Sequence, residues 1–241
     1  MIFFDIFSNQ KNLVHGVMEK KEGSVGSFFD SKSKNNILKA VKKAGAKKAK
    51  INNLIFSEQI HGVNVYFCPP LCGGQVISRT DALVSKTPSQ ILVVKTADCV
   101  PLLIYSPKEK KVAIIHAGRE GAIKGIIKNT LKKFSRPDLL LVGLGPHIRK
   151  DCYPLRGEAK KYSRNKNLKK YIEERNNKLY FDLTELVKDK LLKLGVREEN
   201  IEDCGICTFC ESDRFFSSRW SEKEKLPRRK RLCFGSFIGL R

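Results

Sequence analysis

The stretch Lys95–Gly121, KTADCVPLLIYSPKEKKVAIIHAGREG, constrains the fold more than any other. It holds two apolar runs, Val100–Tyr105 and Val112–Ile115, joined by the polar turn Ser106–Lys111. Runs of this length between turn residues read as two buried strands of a hairpin. Asp98-Cys99 precedes the first run, and His116-Ala117-Gly118 ends the second. In an antiparallel pair the start of one strand lies beside the end of the next. Cys99 and His116 are therefore expected to meet at one end. A thiol and an imidazole side by side make a reactive pair or two metal ligands. A buried cysteine beside a hydrogen-bonded histidine leaves the same pattern, so both readings stay open at this level.

The remaining chain supplies strands and helices around this hairpin. Strands are expected at the N-terminus (MIFFDIFSNQKN), Leu54–Phe56, Val63–Phe67, Asp81–Val84, Ile91–Val94, Leu139–Leu144 and Leu232–Leu240. Helices are expected from Asn35 to Gly45 with Ser33 as cap, from Gly121 to Phe134, and from Glu158 to Arg175 with a break near Asn165–Asn167. Another opens at Asp182-x-x-Glu185, a capping-box spacing, and stops at Gly195. With no repeat and no long linker, residues 1–241 are expected to form one domain.

Apolar residues make up 41% of the chain, and no run approaches the length of a membrane span. The N-terminal segment carries Asp5 and lacks a basic leader, so the expectation is a cytoplasmic protein. In that setting the eight cysteines read as free thiols or metal ligands. The net charge of +22 raises a nucleic-acid-binding reading. The charge is mostly lysine spread along the chain, densest at Lys39–Lys50 and Lys223–Arg231, and no nucleic-acid module is evident. Solvated lysine faces are the favoured reading, with attraction of an anionic small substrate between the two.

Individual residues add candidates. Lys20 and Arg219 are possible anion contacts, Arg219 because a guanidinium can clamp an anion. His61, followed by Gly62 after a strand, sits where backbone and ligand can approach closely. His147 in Gly145-Pro146-His147 reads as structural, with a rim position as the alternative. Cys204-x-x-Cys207-x-x-Cys210 tempts a metal reading but needs Cys152 or Cys233 as a fourth ligand.

Seven segments occur in order: QIHGV at 59–63, DALV at 81–84, TADCVPLLIY at 96–105, HAGREG at 116–121, GLGPHI at 143–148, YFDL at 180–183, and CT with FFSSR at 207–219. Together they resemble the laccase-domain family, also called multicopper polyphenol oxidoreductases and purine nucleoside phosphorylases, with bacterial members described as peptidoglycan editing factors. The resemblance implies an α/β (α+β) fold with a mixed β-sheet core flanked by helices, similar to the cytotoxic necrotizing factor hydrolases. It implies a zinc site at His61, Cys99 and His116, with copper as the alternative soft-ligand ion. It implies phosphorolysis of adenosine, inosine, guanosine and S-methyl-5′-thioadenosine, and deamination of adenosine. Purine nucleosides and phosphate are then the partners, with no specific nucleic acid and no membrane. Lys20 falls where the family usually has Arg and is the phosphate candidate, with Arg219 second. Asp98, beside Cys99, is a candidate acid–base group or a support for the ligands. The chain departs from the family's HAGWRG: Arg119 replaces Trp and Glu120 replaces Arg. Trp220 likewise stands where a second Arg is usual. A cysteine hydrolase acting on a cell-wall precursor, with Cys99 as nucleophile and His116 as base, is the competing enzyme class.

Overall fold

The computed structural model describes residues 1–157, 162, 164–227 and 232–241. Two mixed sheets pack against each other. The first runs in the order β1 (Leu13–Val17), β13 (Phe234–Leu240), β6 (Ile91–Thr96), β2 (Leu54–Ser57), β4 (Val76–Ile77). The second runs β12 (Ile201–Asp203), β9 (Leu141–Leu144), β7 (Val100–Ser106), β8 (Lys111–Ala117), β5 (Ala82–Ser85), β3 (Val65–Phe67). A separate hairpin pairs β10 (Ile172–Arg175) with β11 (Lys178–Phe181).

The expected hairpin is β7–β8 at the centre of the second sheet. Its register pairs Val100 with Ala117 and Tyr105 with Val112. Both strands are apolar on both faces because each face meets a different core. Leu103, Val112 and Ile114 enter the core shared with the first sheet. Leu102, Ile104, Ala113 and Ile115 enter a second core on the opposite face. The strand period of two residues produces this division. Three helices cover the second core: α2 (Arg119–Lys124), α3 (Ile126–Leu131) and α4 (Leu183–Lys193). Helix α1 (Ser31–Lys43) lays Ile37, Ala40 and Val41 against the first sheet, where Gly235 of β13 leaves room for Ile37. A short helix α5 (Ser218–Lys223) follows the FFSSR segment.

Several expected elements are corrected. The N-terminal segment is not the first strand. Ile2 makes a single bridge to Val17, and Asp5–Phe7 forms one 3₁₀ turn. Phe4 and Phe7 are both buried, and a spacing of three residues puts them on one side of a 3₁₀ turn but on opposite faces of a strand. Helix α1 begins earlier than expected and is capped by Asp30, whose carboxylate accepts from the Ser33 amide at 2.7 Å. The expected helix over 121–134 is two helices, α2 and α3, divided at Gly125 with φ +107°. The expected helix Glu158–Arg175 ends instead in strand β10. The β10–β11 turn at Asn176-Asn177 has φ of +49° and +58°, a mirror-type hairpin turn that asparagine tolerates. Residues 158–161 and 163 of that expected helix, and 228–231 of the second basic cluster, lie outside the described residues. The Asp182 cap is as expected: its side chain accepts from the Glu185 amide at 2.9 Å.

Candidate metal centre

Three loops converge at the Cys99 end of the central hairpin. One follows β2 and carries Gln59–Gly62. The second is the turn from β6 into β7, which carries Asp98-Cys99. The third is the end of β8 with Gly118 behind it. One donor atom from each of His61, Cys99 and His116 lies within 4.8 Å of the other two. Cys99 Sγ is 3.8 Å from His61 Nε2. A tetrahedral zinc with ordinary Zn–S and Zn–N lengths sets those two donors about 3.6 Å apart, so the pair fits one ion. His116 is buried, Cys99 is half-buried, and His61 stands at the exposed rim. The group therefore opens onto a cleft of about 230 Å³, lined also by Gln59, Lys95 and Ser218. A larger hollow of about 440 Å³ near Gly45–Ala49 and Arg241 contains no histidine, cysteine or acid.

Asp81 assembles the centre, a role that was not legible in DALV. It is fully buried, and its Oδ1 accepts from His116 Nδ1 at 2.8 Å. The same carboxylate accepts from the amides of Ile60, His61 and Gly62 at 3.2, 2.9 and 2.8 Å. One side chain thus turns His116 Nε2 toward the cleft and holds the loop that carries His61. A carboxylate behind a ligating histidine fixes the ring's tautomer and orientation. Gln59 clasps Lys95 on both sides, donating to its carbonyl at 2.7 Å and accepting from its amide at 2.9 Å. His61 (φ +57°) and Asp98 (φ +94°) both adopt left-handed backbone, which non-glycine residues keep only where surrounding contacts impose it.

The electrostatics favour an ion pair. Burial pushes the Cys99 thiol up, but the charge and hydrogen bonds of His116, with His61 adding to them, bring it down to about 6. Burial pushes His116 down, but Cys99 and Asp81 raise it to about 9. Cys99 is therefore a thiolate at neutral pH, the form that binds soft metals or attacks electrophiles.

The other sequence candidates fall around this centre. Asp98 is buried beneath Cys99, and its carboxylate accepts from Thr208 Oγ1 at 2.8 Å and the Arg219 amide at 2.7 Å. It ties the Cys99 turn to the 207–219 segment. The Arg219 guanidinium donates to the Pro154 carbonyl at 3.0 Å and stacks 5.0 Å from the Tyr153 ring. The Lys20 ammonium donates to the Ser212 carbonyl and lies 5.1 Å from the Phe216 ring and 5.6 Å from the Trp220 ring. Neither cation lines the cleft. Arg119 is buried among aromatic rings, 4.8 Å from Tyr162 and 5.4 Å from Tyr153. Glu120 accepts from the Tyr162 hydroxyl. The two departures from HAGWRG thus face an aromatic cluster behind the site. His147 is buried, donates from Nδ1 to the Gly145 carbonyl at 2.7 Å and accepts at Nε2 from Thr184 at 2.8 Å.

The fold is a two-sheet sandwich that brings a His–Cys–His group together at one hairpin end. The chain belongs to the family described as multi-copper polyphenol oxidoreductase laccase, whose model matches residues 21–230. It is 32% identical over 169 residues, 68% of each chain, to a protein of Escherichia coli K12 named purine nucleoside phosphorylase YfiH. It is 31% identical over 151 residues, 59% of this chain and 58% of the other, to adenosine deaminase RL5 from an unknown prokaryotic organism. Its fold matches the crystal structure of hypothetical protein YfiH from Bacillus licheniformis with a TM-score of 0.83 at 24% identity, covering 97% of this chain and 94% of that one. The family's multi-copper description does not suit the ligands present. Of the four histidines, His147 is fully bonded and His15 accepts from the Phe4 amide at 3.0 Å. His61 and His116 are left, which with Cys99 suit a single ion. Among the described residues, no helix is long and apolar enough to cross a membrane.

Proposed function

We propose that this protein is a zinc-dependent purine nucleoside phosphorylase, acting on adenosine, inosine, guanosine and S-methyl-5′-thioadenosine, with adenosine deaminase activity at the same centre. The observation that carries this reading is the convergence of His61, Cys99 and His116 on an open cleft, with Asp81 bonded behind His116. The names of the phosphorylase and deaminase relatives support the substrate class. The eight free cysteines suit the reducing cytoplasm.

When bound, zinc supplies a Lewis acid and brings the pKa of coordinated water to about 7; copper is the alternative ion for this thiolate-bearing set. The chain's own residues do the rest. Asp81 keeps His116 and the His61 loop in register with Cys99. Asp98 holds the 207–219 segment against the same turn and is the proposed acid–base group beside Cys99 in the chain. In phosphorolysis the phosphate attacks the anomeric carbon while the purine leaves. Cations hold the phosphate, and a hydrogen-bond donor assists the base. Lys20 and Arg219 are the proposed phosphate holders; because neither lines the cleft, each would have to leave its carbonyl partner, Ser212 or Pro154, to reach the anion. Lys95, which lines the cleft and donates to the Gly26 carbonyl at 2.6 Å, is a third cation that sequence reasoning passed over.

Zinc-loaded protein incubated with inosine is expected to release hypoxanthine only when phosphate is present. Cys99→Ala is expected to lose both the zinc held at this centre and the release. Zinc-bound protein that leaves both inosine and adenosine unchanged would overturn the reading.

One observation favours a second reading. Asp81, His116 and Cys99 stand in the order of an acid–base–nucleophile relay, which suits a cysteine hydrolase acting on a cell-wall precursor. Cys99 in chelated protein should then be alkylated by iodoacetamide with a midpoint near pH 6, because the thiolate persists above that pKa and is protonated below it. An ordinary thiol has its midpoint near pH ~8.5. Mass spectrometry of the Cys99 peptide across pH checks this. Activity that survives chelation but not alkylation selects the hydrolase; activity lost with the metal selects the phosphorylase. His61 has no task in the hydrolase scheme, which weighs against it.

A further inference from the structure

The cysteines outside this centre are not scattered. Cys207 and Cys210 are separated by two residues in the loop after β12, and Cys152 closes a 3₁₀ turn, Lys150–Cys152, after the Gly145-Pro146-His147 corner. Their three sulfurs lie within 4.8 Å of one another, and Cys152 Sγ is 3.3 Å from Cys210 Sγ. The backbone imposes this meeting. His147 and Cys207 form a parallel bridge, and the Thr208 amide donates to the His147 carbonyl at 3.1 Å. The Glu211 amide then donates to the Cys207 carbonyl at 3.0 Å, curling the loop so that Cys210 returns beside Cys207. Cys204, which completes the sequence run, stands apart. Its amide pairs with the Leu144 carbonyl and its side chain packs on the first core. The triplet read along the chain is thus not the triplet formed in space: Cys152 takes the place of Cys204.

We propose that Cys152, Cys207 and Cys210 form a second metal site for one thiophilic d¹⁰ cation, zinc(II) or copper(I). The donor set carries the assignment. Two cysteines at C-x-x-C spacing plus a third from a distant turn supply three of the four ligands of a tetrahedral thiolate zinc site, with a solvent molecule as the fourth, or the full set of a three-coordinate copper(I) thiolate site. Three soft sulfurs without an oxygen donor also suit copper(I) and disfavour magnesium, calcium or manganese. Cys207 is buried, Cys152 is half-buried and Cys210 is exposed, so the cation enters from solvent on the Cys210 side. Binding replaces each S–H by an S–metal bond and releases the protons to water, with no change of oxidation state. The bound ion would staple the 145–152 segment to the 207–210 loop. Both segments already bond to Asp98: the Ile148 amide donates to its carbonyl at 3.0 Å, and Thr208 donates to its carboxylate. The site therefore stiffens the support of the catalytic turn without touching substrate.

The test is metal stoichiometry on the full chain, prepared reduced. Wild-type protein dialysed against zinc is expected to retain about two equivalents per chain, and Cys99→Ala and Cys210→Ser about one each. Cobalt(II) substitution separates the centres. A strong sulfur-to-cobalt charge-transfer band is expected to persist in Cys99→Ala, which keeps the three-thiolate site, and to fall in Cys210→Ser to the weaker band of the single Cys99 thiolate. Cys152→Ser is the second variant and should behave like Cys210→Ser. An anaerobic copper(I) titration identifies the ion: retention of copper(I) against a zinc excess in Cys99→Ala assigns copper, and its displacement assigns zinc. One equivalent in wild type, unchanged by Cys210→Ser, would overturn the proposal. So would a Cys152–Cys210 disulfide in reduced, metal-supplied protein. Failure of the first centre instead removes the equivalent that depends on Cys99, so the two outcomes are distinguishable.

Discussion

Asp81→Asn is expected to lower zinc affinity and kcat/KM by about 10- to 100-fold, the usual cost of losing a partner behind a metal-binding histidine. Asparagine keeps the shape of the side chain but has one acceptor oxygen where the carboxylate has two. Asp81 Oδ1 serves His116 and the His61 amide, while Oδ2 serves Ile60 and Gly62. An amide group presented to that ring of donors sets N–H against N–H, so either the histidine or the loop turns away. Asp81→Ala removes every acceptor at once. Buried donors left unpaired cost about 1–3 kcal/mol each; water reaches the exposed part of the loop, so a net loss of about 3 kcal/mol is expected. Competition against a chromophoric zinc chelator measures the first effect, and denaturant unfolding of the metal-free protein measures the second. Wild-type zinc affinity in Asp81→Asn would refute the positioning role.

Gly118→Ala should be nearly as damaging to activity while leaving the fold alone. A Cβ at Gly118 would stand 2.9 Å from His61 Cδ2 and 3.1 Å from Cys99 Sγ, closer than packed atoms allow. The glycine's backbone, φ −75° and ψ 162°, is ordinary for any residue, so the substitution strains no torsion. The cost falls on the two side chains, which must shift by a few tenths of an ångström or more. Displacements approaching 1 Å cost about 100-fold in rate, and a loss of that order in kcat/KM is expected with the melting temperature nearly unchanged. Unaltered turnover would mean that His61 need not hold its place. Gly121 makes a similar demand one turn on, where a Cβ would meet the Gly62 carbonyl at 2.8 Å. The glycines of HAGREG thus let helix α2 lie directly on the His61 loop.

The β7–β8 hairpin and the meeting of Cys99 with His116 were legible because they depend on local information. Two apolar runs joined by a polar turn admit one antiparallel register, and that register settles which ends are neighbours. The Asp182 cap and the apolar stripe of α4 were legible for the same reason. The N-terminal segment misled because Phe4 and Phe7 suit a strand by composition, while their three-residue spacing buries both only in a 3₁₀ turn. Strand β10 misled because its Ile-Glu-Glu-Arg sequence has no apolar face; pairing with β11 across the Asn176-Asn177 turn makes it a strand.

What the sequence determined by itself is the central hairpin, the thiol–imidazole pair at its end and, through seven ordered motifs, the family. What only the tertiary structure decided is which distant groups complete each site. Asp81 is distant in sequence from His116, and Cys152 is distant from Cys207 and Cys210. A carboxylate before a strand or a cysteine after a turn carries no local signal of its partner. Their meeting depends on sheet order, on the bridge between His147 and Cys207, and on glycines that admit close backbone approach. Side-chain chemistry is written along the chain, but the distances that turn it into a site come from packing between segments far apart in sequence.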